Sequence, residues 1–153
     1  DKAYDADIHI EPSAYRAFLE TCWERFAAHR GCGTTFQLKD HLWALFLYEK
    51  GLLTPPKTDK VTDGCNCGRN HITILPNGDV YACRRMESEI GNVLQEDLCS
   101  IWQSAKTERY RQYEKFVKCA KCELKNVCRG CPAVAYGYTG NMYAADPQCW
   151  KEG

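Results

Sequence analysis

Five cysteines crowd the last third of the chain in the order Cys119-x2-Cys122-x5-Cys128-x2-Cys131-x17-Cys149. Two C-x2-C pairs set thiolates close enough along the backbone to share one inorganic centre, while the remaining cysteine stays free to reach it or another. An earlier trio, Cys65, Cys67 and Cys83, brings the set to eight of the chain's eleven cysteines, enough for two four-ligand sites. Thiolates at these spacings bind iron-sulfur clusters or zinc, and disulfides are the third reading, in an oxidising compartment that nothing in the sequence indicates. Spacing alone leaves all three open.

The rest of the composition narrows the class of partner. The 153 residues amount to about one domain, and 44% hydrophobic with 12% aromatic content is enough to fill a core. Twenty basic and twenty acidic residues cancel, with no run of five like charges, so neither a nucleic-acid footprint nor a membrane-surface patch is expected. No apolar stretch reaches the roughly 18 residues of a spanning helix, and no basic segment followed by an apolar one opens the chain. The expectation is a cytoplasmic protein with small-molecule or protein partners. The chain starts at Asp1 without an initiator methionine and is expected to be an excerpt of something longer.

Along the chain, Tyr15, Phe18, Leu19, Cys22 and Phe26 recur near the helical period behind Pro12, predicting a helix over 12–30. Leu38, Leu42, Leu45 and Phe46 repeat the pattern up to Gly51 and predict a second, more buried helix. Cys22 reads as a small core residue, Cys32 as structural or idle. Residues 52–64, with Thr54-Pro55-Pro56, form a connector that divides residues 1–60 from 61–153. Beyond it, Ile72-Thr73-Ile74-Leu75 and Val80-Tyr81-Ala82-Cys83 flank Asn77-Gly78, a hairpin signal with positive φ expected at both turn residues. That hairpin would return Cys83 to the side of Cys65 and Cys67.

Leu98 to Ala105 predicts a short helix with Cys99 packed inside it. A further helix to Phe116 carries a charged, solvated face (Lys106, Glu108, Arg109, Arg111, Glu114, Lys115). From Cys119 onward Gly130, Gly137, Gly140 and Pro147 replace periodicity with loop, and a bound cluster rather than a core is expected to hold the segment together. The fold class is therefore α+β: N-terminal helices, then a small domain of hairpin, short helices and cluster-binding loops. His9, His29, His41 and His71 share no ligand spacing and are expected at the surface or in the core, with a mixed His/Cys zinc site through His71 as the alternative.

Taken together, Cys67-x10-Gly78-x4-Cys83, the Ile90-Gly91-Asn92-Val93 segment and the ordered quintet resemble the SPASM domain of radical S-adenosylmethionine (SAM) enzymes, over Cys65 to Cys149. The resemblance implies two auxiliary 4Fe-4S clusters with interleaved ligands: Cys65, Cys67, Cys83 and Cys131 for the first, Cys119, Cys122, Cys128 and Cys149 for the second. It also implies that residues 1 to about 60 end a partial (β/α) barrel and bridge to the SPASM domain. The C-x3-C-x2-C motif that binds SAM and a third cluster in that barrel is absent from this chain, so radical generation is not assigned to it. Two residues rather than the family's usual three precede Cys131, and Cys65-x-Cys67 is an unusually short pair.

Sulfatase-maturing members carry an acid after the equivalent of Cys83, where this chain has Arg84-Arg85. The implied activity is modification of a ribosomally made peptide by thioether or carbon-carbon crosslinks. Tyr81, Arg84, Arg85, Trp102, Tyr136 and Tyr138 would line the peptide's path or simply pack, and a flavodoxin or ferredoxin would serve as reductant. Two rival readings are a freestanding two-cluster ferredoxin-like module and a zinc-structured binding domain.

Overall fold

The computed structural model describes residues 10–151. Helix α1 runs Pro12–Ala28, with the proline in its first turn where no N–H is needed. Helix α2 is shorter than the periodicity predicts, Trp43–Glu49. Asp40 is the reason: its side chain accepts the Leu42 N–H at 2.9 Å, an Asx turn that competes with helix and delays its start. Leu38 and Leu42 still pack inward, because the turn keeps them on the face that α2 buries.

The hairpin forms as β1 (Thr73–Ile74) and β2 (Asp79–Tyr81), and a third strand the sequence did not announce, β3 (Glu89–Asn92), pairs antiparallel with β2. At the turn only Gly78 takes positive φ, +86°, and no described residue other than glycine does. Asn77 instead uses its side chain, bonding the Asp79 carboxylate at 2.6 Å and the Asp79 N–H at 3.3 Å. The register slips between Val80 and Tyr81, a bulge just before Cys83 that bends the strand end.

Helix α3 (Leu98–Gln103) is capped by Asp97, which accepts the Cys99 and Ser100 N–H groups, and α4 (Ala105–Glu108) is capped by Ser104. Cys99 is exposed rather than packed. The expected long helix to Phe116 is broken into 3-10 turns at Arg109–Arg111 and Tyr113–Lys115. Arg111 turns out of the expected solvated face: it bonds the Gly68 and Trp102 carbonyls and lies 4.5 Å from the centre of the Trp102 ring. Tyr110 meanwhile buries against Gly68, whose φ is +64° and where a Cβ would come within 2.7 Å of the Tyr110 Cβ, leaving no room for a side chain.

The segment after Cys119 is better built than its glycines suggest. Helix α5 (Pro132–Thr139) tolerates Gly137 in its interior and ends on left-handed Gly140. Two apolar cores result. One joins Val80, Ala82, Met86, Ile90 and Ile101 to Ala133 and Met142; the other joins Leu19, Leu42, Leu45 and Phe46 of the N-terminal helices to Leu124, Val127 and Cys128. Cys22 packs at the edge of the second core, as expected, and Cys32 is exposed. No described helix is long and apolar enough to cross a membrane.

Candidate metal centres

The eight cysteines fall into two sets of four, each lining its own cavity. Cys65, Cys67, Cys83 and Cys131 face a cavity of about 400 Å³ that Leu38, His41, Trp43, Leu47 and Arg85 complete. Cys119, Cys122, Cys128 and Cys149 face a second of about 330 Å³, rimmed by Lys118, Lys121, Lys151 and Leu45. Gly130 borders both. Cys22, Cys32 and Cys99 line neither.

Local backbone delivers these thiols in a repeated way. Arg85 N–H donates to the Cys83 sulfur and Leu124 N–H to the Cys122 sulfur, both at 3.4 Å. At Cys65, Cys128 and Cys149 the N–H of the residue two positions on likewise favours the thiolate, and at Cys131 the first N–H groups of α5 do so. Six of the eight sulfurs thus receive main-chain donors that favour a thiolate. Burial acts the other way and pushes Cys119 up to about 12 and Cys128 and Cys131 up to about 11. Cys67 donates to Cys83, which raises Cys67 and lowers Cys83 to about 6.

Among the described residues no three His, Cys, Asp or Glu side chains converge on one point as a single bound ion requires. Zinc holds its thiolates at about 2.3 Å. Four thiols spread around a cavity of hundreds of cubic ångströms suit a polynuclear centre, and N–H···S donors are the environment that tunes one. His71 lines the first cavity and faces Cys67 across an isolated bridge, yet its Nε2 is engaged with Thr73 at 3.2 Å. His29 is exposed, and His9 lies outside the described residues.

Two buried charged groups flank the Cys128–Cys131 bridge, and sequence reading missed both. Asp146, with a side chain 1% exposed, accepts His41 Nε2 at 2.6 Å, Cys131 N–H at 2.7 Å and Gln148 N–H at 2.9 Å. Burial alone would raise its carboxyl, but His41 and these N–H donors hold it below the ordinary carboxylate range. Arg129 sits within the bridge and reaches back to the Asp63 and Cys65 carbonyls. Its position, between two ligand-type cysteines, was the available signal. Of the residues expected along a peptide path, only Arg85 borders the first cavity; Tyr136 packs on the first core and Tyr138 is exposed.

The family model of the SPASM domain, an iron-sulfur cluster-binding domain, matches residues 65–132. This chain carries a SPASM domain. The match spans seven of the eight cysteines, and the SPASM domain binds iron-sulfur clusters. Three curated relatives share the region, each named AdoMet-dependent heme synthase. Those of Nitratidesulfovibrio vulgaris and Oleidesulfovibrio alaskensis are 35% identical over 108 residues, 66% of this chain and 29% and 27% of theirs. That of Methanosarcina barkeri is 33% identical over 93 residues, 60% of this chain and 27% of its own. The chain therefore spans less than a third of the relatives it matches. No solved structure matches it.

Proposed function

We propose that this chain is the auxiliary-cluster part of a radical SAM enzyme that modifies a ribosomally made peptide. Cys65, Cys67, Cys83 and Cys131 hold one 4Fe-4S cluster, and Cys119, Cys122, Cys128 and Cys149 the other. The observation that supports the two-cluster part of this reading is the division of eight thiols between two cavities in the interleaved order, with Cys128 and Cys131 facing opposite sites across Gly130. Residues 1–60 serve as the end of the barrel and the bridge, and SAM with the third cluster belongs to a part of the enzyme outside this chain.

Bound clusters supply one-electron chemistry, taking up the electron left when a substrate hydrogen is removed and a crosslink forms. The chain's own residues wall both sites with apolar side chains and put cations beside them. Leu45 and Leu124 wall the second cavity, while Leu38, Trp43 and Leu47 bring the N-terminal helices over the first. Both Cys65 and Cys67 face the first cavity, which favours four protein ligands there. Lys118, Lys121 and Lys151 around the second cavity outnumber Glu123, which pairs with Lys151 at 2.9 Å, and leave a net basic rim for an acidic flavodoxin or ferredoxin.

The relatives' names favour a second reading, in which the substrate is a tetrapyrrole precursor of heme. The two separate on one experiment. The anaerobic, full-length reduced enzyme is given SAM and either a candidate peptide encoded beside its gene or a heme precursor. A peptide product lighter by two hydrogens supports peptide modification; heme formation with an unchanged peptide overturns it.

A further inference from the structure

The two cavities are matched in their thiols and differ in the charges around them. Each set of four has one buried thiol, Cys67 in the first and Cys128 in the second, and three half-buried ones. Each has three thiols that a main-chain N–H favours as thiolates: Cys65, Cys83 and Cys131 against Cys122, Cys128 and Cys149. Around the first cavity Lys39 and Arg85 stand against Asp40 and Asp63, two cations to two carboxylates. Around the second, Lys118, Lys121 and Lys151 stand against Glu123 alone. Lys118 is held there by its bond to the Lys151 carbonyl and Lys151 by Glu123 at 2.9 Å, whereas Lys121 is exposed and, among the described residues, joins no ion pair. At the bridge common to both sites the buried charges are mixed, with Arg129 on the Cys65 carbonyl and Asp146 between His41 and the Cys131 N–H. A Cβ at Gly130 would meet Asp146 Oδ2 at 3.3 Å and Cys119 Sγ at 3.4 Å, so this carboxylate stands beside the second site as well as the first.

We propose that the lysine rim makes the second site the easier of the two to reduce, so that an electron delivered to the first site passes on to the second. The inference deepens the two-cluster reading and rests on it. With cluster type, sulfur hydrogen bonds and exposure matched, charge is what remains to separate two reduction potentials. Ammonium groups beside a centre held by four thiolates favour its more negative, reduced form, and their effect is larger beside the apolar wall of Leu45 and Leu124 than in open water. The transfer moves one electron and nothing else: the first centre is oxidised as the second is reduced, across the Arg129-Gly130 spacer between Cys128 and Cys131. The electron then stands at the net basic rim, where an acidic one-electron carrier collects it.

The test uses the full-length protein as wild type and Lys121→Glu, reconstituted anaerobically at pH 8. Iron is counted, and the midpoints of the two auxiliary clusters are read by potentiometric EPR titration. In the wild type they are expected to lie far enough apart to make the oxidised-to-reduced ratios differ tenfold at fixed potential, about 59 mV for a one-electron couple. Lys121→Glu lowers the upper midpoint and leaves the lower one in place. Raising salt from about 0.1 M to about 1 M, which shortens the Debye length from about 10 Å to about 3 Å, narrows the gap from the upper side. Coincident midpoints overturn the proposal, as does a lower midpoint that moves with Lys121 while the upper one stays. Should the Lys121→Glu protein not load, the salt series on the wild type decides: a narrowing gap supports the proposal, and a gap indifferent to salt overturns it. A wild type holding fewer than two auxiliary clusters would instead refute the two-cluster reading itself.

Discussion

Asp146 is the residue whose removal should cost this domain most outside the cysteines. Its carboxylate is buried and accepts three donors from three places: the imidazole that precedes α2, the Cys131 N–H at the start of α5, and the Gln148 N–H next to Cys149. Asp146→Ala orphans all three donors, and at about 1–3 kcal/mol for each buried group left unsatisfied the loss comes to about 3–5 kcal/mol once water from the first cavity meets part of the need. Against a total stability of about 5–15 kcal/mol this is a large fraction. For a domain of this size the loss corresponds to a melting temperature lower by roughly 10–15 °C. Asp146→Asn can keep the shared oxygen that accepts both His41 Nε2 and the Cys131 N–H and sets its amide donor against the Gln148 N–H alone, so its loss should be smaller. Anaerobic thermal unfolding and iron content read the series, with the order wild type, Asn, Ala in both. An alanine variant that melts within about 2 °C of wild type and keeps its iron would refute the argument. The carboxyl lies below its ordinary range, so its contribution is complete above the unfolded value of about 3.9 and fades as pH falls through the folded one.

The remaining predictions concern the thiols. Cys128→Ala and Cys131→Ala should each reduce both cluster signals, because two residues of spacer tie the sites together, whereas Cys99→Ala, at an exposed position lining neither cavity, should leave iron content intact. Loss of one signal with the other spectroscopically unchanged would count against interleaving. Burial keeps Cys119, Cys128 and Cys131 protonated at pH 8 in the metal-free chain, while Cys83, near 6, is already a thiolate. Cluster loading in weak buffer should therefore release protons from the first three and none from Cys83. The proton yield per cluster loaded, read by indicator dye, should hold up at pH 10, where an ordinary thiol near 8.5 has already lost its proton; a yield that falls away between pH 8 and 10 would show that burial does not govern these thiols.

That the cysteines gather in two places was legible from their spacing, a short-range property of the chain, while the division into two interleaved sets of four came from the SPASM resemblance. Helix α1, the hairpin and α3 were legible from period and turn residues. What escaped depends on side chains bonding backbone far away. Asp40 shortened α2 through an Asx turn, and Arg111 and Tyr110 broke the expected long helix by turning in toward Gly68. Helix α5 was hidden by Gly137, which costs a helix only about 1 kcal/mol and was outweighed by burying Ala133, Val134 and Ala135. His41 and Asp146 are 105 residues apart, and no periodicity links them. Nor does sequence reveal the N–H···S bonds at Cys83 and Cys122, since each donor is the main chain of whatever residue stands two places on.

The central claim is that two four-thiol cavities each hold a 4Fe-4S cluster. Iron, acid-labile sulfide and zinc counted on the anaerobically purified, iron-replete chain test it most directly. The account predicts a brown protein with about eight irons and about eight sulfides per chain and no stoichiometric zinc; a colourless protein with zinc in place of iron would contradict it.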